Sequence, residues 1–134
     1  MEKKAAEKKI TVSDAELEIL EILWSAGRAL NANEIRDALN QSRKWERTTV
    51  LTFINRLLKK GVIAQEKREV YYYSPCIERE EYVEEETKNF LKKFFGGSSN
   101  KLAAALVNSE ALTKEDINEL RDYFNRNMEK EGGI

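Results

Sequence analysis

Residues 46–75, ERTTVLTFINRLLKKGVIAQEKREVYYYSP, decide the fold. Val50, Ile54, Leu57 and Leu58 recur at helical spacing, so the first half reads as an amphipathic helix over residues 46–60. Gly61 stops it, and Lys59 and Lys60 suit the negative end of its dipole. Residues 62–66 and 70–74 are rich in β-branched and aromatic side chains. They predict two short strands joined by a bend at Lys67-Arg68-Glu69, with Pro75 closing the hairpin.

Two helices precede this stretch. Ser13 and Glu16 form an S-x-x-E capping box, with Val12 and Leu17 placed as a hydrophobic staple. Leu17, Leu20, Leu23 and Trp24 give an apolar face, and Gly27 ends the helix. Asn31 and Glu34 repeat this pattern, with Leu30 and Ile35 as the staple and Ala38 and Leu39 completing a short buried face. Residues 40–44 form a polar linker. Two helices, a third with a polar outer face, then a basic hairpin: this order predicts a winged helix-turn-helix. Trp24 and Trp45 are read as packing residues, Tyr71, Tyr72 and Tyr73 as alternating between core and surface, and Cys76 as an inert packed thiol.

From Glu78 the character changes. A helix over residues 79–95 carries Val83, Phe90, Leu91, Phe94 and Phe95 and breaks at Gly96-Gly97. A short helix bears Leu102, Ala103, Leu106 and Val107. A last one opens at Thr113, with Asp116 three residues on, Leu112 and Ile117 as staple, and a stripe of Ile117, Leu120, Phe124 and Met128. Three amphipathic helices of this size make a marginal core alone, and a second copy of the chain is the simplest remedy.

The chain has 134 residues, with 23 basic and 24 acidic side chains for a net charge of −1. That total argues against a nucleic-acid binder, but the charges are segregated. Residues 43–69 hold eight basic and three acidic residues, net +5, whereas residues 77–86 hold six glutamates and one arginine, net −5. There is no histidine, which removes the commonest general base and the usual zinc ligand. The one cysteine excludes an internal disulfide and a cysteine metal cluster. No enzyme chemistry, metal or cofactor is therefore expected. The longest apolar run, residues 102–107, is far too short to span a bilayer, and residues 1–10 read as a disordered, charged tail. These features predict a cytoplasmic protein.

With about 100° per residue, the helix face opposite Val50 and Leu57 holds Thr48, Thr52, Asn55, Arg56 and Lys59, flanked by Thr49 and Lys60. Short hydroxyl and amide groups followed by long cations suit a helix in a DNA major groove, where threonine can offer a hydrogen bond or a methyl to thymine. Arg43, Lys44 and Arg47 add positive charge at its start. Lys67 and Arg68 place two cations at the hairpin tip, in reach of an adjacent backbone or minor groove.

Over residues 11–128 the ordered set of motifs resembles the penicillinase-repressor family of winged-helix repressors, the BlaI/MecI/CopY type. The resemblance rests on Ser13-Asp14-Ala15-Glu16-Leu17-Glu18 with Leu23-Trp24, and on Asn31-Ala32-Asn33-Glu34-Ile35. It continues through Trp45, Thr48-Thr49-Val50-Leu51-Thr52, Arg56-Leu57 and Lys59-Lys60-Gly61 to Val70-Tyr71-Tyr72-Tyr73-Ser74-Pro75. Glu80-Glu81-Tyr82-Val83, Glu86-Thr87, Phe90-Leu91 and Phe95-Gly96-Gly97 complete it.

The resemblance implies a homodimeric transcriptional repressor on double-stranded DNA with a palindromic operator. Residues 11–76 would be the winged-helix DNA-binding domain and residues 77–131 the helical dimerisation domain. Thr48, Thr49 and Thr52 would read bases, and Arg56 would contact phosphate or serve the structure. Tyr82, Val83, Phe90, Leu91, Phe94, Phe95, Leu102, Leu106, Ile117, Leu120 and Phe124 would form the dimer interface.

Four departures stand out. Glu46-Arg47 occupies a place that is often Ser-Pro in relatives, and the wing turn lacks a glycine that many have. In antibiotic-responsive relatives a membrane sensor metalloprotease cuts an Asn-Phe bond, and the corresponding stretch here is Ala105-Leu106. The cysteine cluster of copper-responsive relatives has no counterpart. The rival reading is a protein-interaction module that keeps the winged fold without DNA binding, suggested by Glu46 and the acidic block.

Overall fold

The computed structural model describes residues 11–41 and 44–130. Arg43 and the expected tail of residues 1–10 lie outside the described residues. The chain divides into two compact units, one running up to Glu85 and the other starting at Glu86.

The first unit begins with helix α1 (Asp14–Ala26). Its capping box is formed, with the Glu16 N–H donating to Ser13 Oγ at 3.2 Å and the Ser13 N–H to Glu16 Oε1 at 3.0 Å. Strand β1 (Leu30–Asn31) leads into α2 (Ala32–Leu39), whose start repeats the box through Asn31 and Glu34 at 2.9 and 3.0 Å. Helix α3 (Arg47–Lys60) follows, then β2 (Ile63–Lys67) and β3 (Tyr71–Pro75).

The hairpin strands each start one residue later than the sequence suggests. The cause is the end of α3. Gly61, at φ +78°, donates to Leu58 O at 3.0 Å, and the Val62 N–H donates to Leu57 O at 3.3 Å. That Schellman closure commits Val62 to the helix, so the ladder opens at Ile63. The bend becomes Arg68-Glu69-Val70, and Lys67 stands in β2 opposite Tyr71.

The sheet has antiparallel order β1-β3-β2, with Leu30 opposite Tyr73 and Asn31 opposite Tyr72. The sequence reading did not contain β1, which is only two residues long. The core gathers Ile19, Leu20 and Leu23 of α1, Ile35 and Leu39 of α2, and Val50, Ile54 and Leu57 of α3, closed by Leu30, Val62, Ile63 and Tyr73. Each large apolar side chain buried there is worth about 1.5–3 kcal/mol. Trp24 and Trp45 pack against this core half-buried, as expected. Cys76 is a correction: its side chain is exposed, because its place is fixed by the backbone bond from its N–H to Val62 O (2.8 Å), not by packing.

Helix α4 (Arg79–Phe95) starts within the first unit. There the Trp24 indole N–H donates to Ile77 O at 2.9 Å, and Arg79 pairs with Glu21 at 3.0 Å. Tyr82, grouped by sequence with the dimer interface, packs against Trp24 with ring centres 5.9 Å apart and planes tilted by 43°, and is 8% exposed. It serves this unit's own packing, because its ring covers the indole.

The second unit contains the rest of α4, α5 (Ser99–Asn108) and α6 (Lys114–Lys130). Ser98 caps α5 by accepting from the Lys101 N–H, and Thr113 with Asp116 forms a reciprocal pair at 3.0 Å that starts α6. Among residues 86–128 none is buried.

Candidate nucleic-acid interface

Helix α3 turns two unlike faces outward and inward. Val50, Ile54 and Leu57 are fully buried, while Thr48, Thr49, Thr52, Asn55, Arg56 and Lys59 are all exposed, as their angular positions require. Leu58, expected on the inner face, is half-buried at its margin. Lys44 and Arg47 are exposed at the entry to the helix.

Several outward groups already have internal partners. Thr52 Oγ1 donates to Thr48 O at 2.9 Å, so its hydroxyl proton is committed to the helix backbone. The hydroxyl oxygen and the γ-methyl still carry recognition capacity. Arg47 Nε donates to Asn33 Oδ1 at 3.2 Å, tying the first turn of α3 to α2. The Arg56 guanidinium lies 5.2 Å from the Phe53 ring centre, along the shoulder of the helix. Glu46 takes the N-cap position with extended backbone, but its side chain makes no capping bond.

Lys60 does not join this face. It turns back to donate to Glu16 Oε1 at 2.5 Å and to Thr11 O at 2.6 Å. Glu16 is 2% exposed, the one buried charged residue among those described. Burial pushes its carboxyl up, but the bonds from Lys60 and the Ser13 N–H, with the positive charge of Lys60, outweigh this and leave it below its ordinary value. Helical angle alone puts Lys60 on the flank of the outer face. A lysine's length lets it reach from that flank to the neighbouring helix.

The wing stands beside α3, with β2 packed on that helix. Lys67 and Arg68 are both exposed. Arg68 pairs with Glu66 at 3.0 Å and lies 4.4 Å from the Tyr72 ring centre, while Lys67 lies 5.0 Å from that of Tyr71. The tyrosines follow their expected alternation only in part. Tyr73 is buried at 5%, Tyr72 is half-buried, and Tyr71 shares a face with Tyr73 but lies beyond the core and is 43% exposed. The partnering of Lys67 and Arg68 by Tyr71 and Tyr72 was not read from sequence. The run Lys67-Arg68 three to four residues before two tyrosines across a tight hairpin was its available signal.

In the second unit the apolar residues picked out by sequence are exposed or half-buried, none of them buried. Phe90, Phe94, Ile117, Leu120 and Phe124 are 39–61% exposed, as is Val83 in the first unit at 39%; Leu91, Phe95, Leu102 and Leu106 are half-buried. Phe90 is clustered with Phe94 at 5.1 Å and Phe95 at 5.8 Å. Ala105 and Leu106 lie inside α5, both half-buried. Among the described residues no cluster of metal-ligating side chains occurs, and no helix is long and apolar enough to cross a membrane.

Residues 12–126 match the family model described as penicillinase repressor. The chain is 34% identical to the penicillinase repressor of Bacillus licheniformis over 123 residues, 90% of this chain and 95% of that protein. It is 34% identical to the methicillin resistance regulatory protein MecI of Mammaliicoccus sciuri over 116 residues, 86% of this chain and 94% of that one. Among solved structures, the DNA binding domain of the repressor BlaI matches with a TM-score of 0.50 and 36% identity, over 56% of this chain and 93% of that chain.

Proposed function

The chain belongs to the penicillinase repressor family, and we propose that it is a sequence-specific DNA-binding transcriptional repressor acting as a homodimer on a palindromic operator. One observation carries the reading. The face of α3 that the core leaves free presents threonines in its first half and Asn55, Arg56 and Lys59 further along, with two more cations on the adjacent wing. Thr48, Thr49, Thr52 and Asn55 read base edges in the major groove. Lys44, Arg47, Arg56 and Lys59 hold phosphates, with Lys67 and Arg68 on the flanking backbone. Residues 11–76 are the DNA-binding part and residues 77–131 the dimerisation part.

Dimerisation is supported by the second unit, where Phe90, Phe94, Ile117, Leu120 and Phe124 lie exposed and nothing in residues 86–128 is buried. A partner copy supplies the missing apolar contacts. Half-sites then lie about one helical turn apart. Release by a sensor protease at Ala105-Leu106 would require α5 to unwind locally, since that bond is helical.

A gel-shift with the promoter region of the chain's own gene, at two salt concentrations, tests the proposal. A sequence-dependent, salt-sensitive shift that the Thr48→Ala/Thr52→Ala double variant loses is the expected result. No sequence-dependent shift would favour a winged-helix protein-interaction module instead.

A further inference from the structure

We propose that Tyr71 and Tyr72 are positioning residues for DNA binding: their rings hold Lys67 and Arg68 of the wing in place for phosphate. The inference rests on the reading of the wing as a backbone contact. Lys67 and Tyr71 are directly opposed in the β2–β3 register, and the Lys67 ammonium sits 5.0 Å from the Tyr71 ring centre. Arg68, just past the end of β2, lies 4.4 Å from the Tyr72 ring centre. Both distances are within the range of cation–π attraction.

The chemistry suits a cation awaiting an anion. A guanidinium over a ring face gives up none of its five N–H donors, which all lie in its own plane. The Glu66 carboxylate takes the Nη2 edge at 3.0 Å, and the other donors remain available to phosphate. Two neighbouring cations repel each other and lose side-chain freedom when they dock. Separate rings fix each one before docking, so less ordering remains to be done on DNA. Arg68 N–H to Val70 O, 2.9 Å, closes the tip, and the rings give its flexible side chains a surface to lie on.

The test uses the full chain and a fluorescent duplex of its own promoter region, with affinity measured across a salt series. Arg68→Ala is expected to lower the slope of log affinity against log salt by about 1.8, one phosphate contact of about 0.9 for each wing of the dimer. Tyr72→Leu keeps the charge but removes the ring; it is expected to lose about two- to fivefold in affinity and to reduce the same slope. Tyr72→Phe keeps the ring and restores both. Tyr71→Leu, at a more exposed position, repeats the experiment for Lys67 without disturbing packing. The double variant Arg68→Ala/Tyr72→Leu should bind no more weakly than Arg68→Ala alone. If Arg68→Ala and Lys67→Ala leave affinity and slope unchanged, the wing does not touch phosphate and the underlying reading fails. If they weaken binding while neither Tyr→Leu variant moves the slope, or the Arg68 and Tyr72 losses simply add, the wing contact stands and the positioning role is overturned.

Discussion

Lys60, the last residue of α3, donates to Glu16 in the first turn of α1, 44 residues earlier, across 2.5 Å. The same carboxylate accepts the Ser13 N–H, so one buried group caps α1 and anchors the far end of α3. Lys60→Ala leaves that carboxylate buried without its cation. We expect a loss of about 1–3 kcal/mol in a urea titration of the chain. Because the Lys60 ammonium is committed to Glu16 and Thr11 O, the salt slope of DNA binding should stay as in the parent. A reduced slope would make Lys60 a phosphate contact.

Acid should find the same pair. The Glu16 carboxyl, raised by burial but lowered further by Lys60 and Ser13, lies below its ordinary value of 4.5. Glu34 also lies below it, through the Asn31 N–H and Arg28. A carboxyl lowered on folding stabilises fully above its unfolded value, and that contribution fades as pH falls through the folded one. Melting temperature should hold near neutrality and drop below about pH 4.5. Glu16→Gln should start lower and fall less steeply. Parallel acid limbs would show that Glu16 does not titrate with unfolding.

Thr52 can be dissected by shape. Its hydroxyl proton already goes to Thr48 O, so the methyl is the group best placed to discriminate thymine. Thr52→Ala should relax preference at one base pair by about 1–3 kcal/mol, whereas Thr52→Val should keep it. Competition between duplexes carrying thymine or uracil at each position reads this directly. Equal losses in both variants would assign recognition to the hydroxyl oxygen.

Glu46 makes no capping bond, although it holds the N-cap conformation of α3. Glu46→Ser should stabilise the chain by about 0.5–1 kcal/mol and tighten DNA binding by removing a carboxylate from the phosphate-facing end. Thermal melts and the gel-shift check the two effects separately.

Phe94 is 61% exposed, so Phe94→Asp costs the single chain little. In a dimer it buries a charge. Sedimentation at micromolar concentration should show the mass fall to a monomer, and operator affinity should drop by on the order of tenfold or more as the two half-sites lose their linkage. An unchanged mass would move the interface elsewhere.

Much of this was legible because local rules wrote it. Ser13 with Glu16 and Asn31 with Glu34 fix helix starts through residues three apart, and Gly61 requires the left-handed backbone that ends α3. The outward face of α3 followed from angle. What escaped depended on distant partners. Glu16 looks like a surface capper until Lys60 arrives from 44 residues away, and β1 exists only because Leu30 and Asn31 meet Tyr73 and Tyr72. The one-residue shift of the strands came from the backbone bonds of Gly61 and Val62, which no side-chain pattern encodes. Tyr82 carried a pattern fit for an interface, yet Trp24 was its partner.

The unburied second unit has a consequence for dosage. If the proposed dimer forms, a segment with no buried residue among 86–128 draws its order from assembly, and its stability is set by protein concentration as much as by sequence. Each tenfold dilution takes about 1.4 kcal/mol from the dimer. Below the dissociation constant, operator occupancy then follows the square of the copy number. Repression would thus fail abruptly as the protein is diluted by growth, giving the switch a threshold without any inducer.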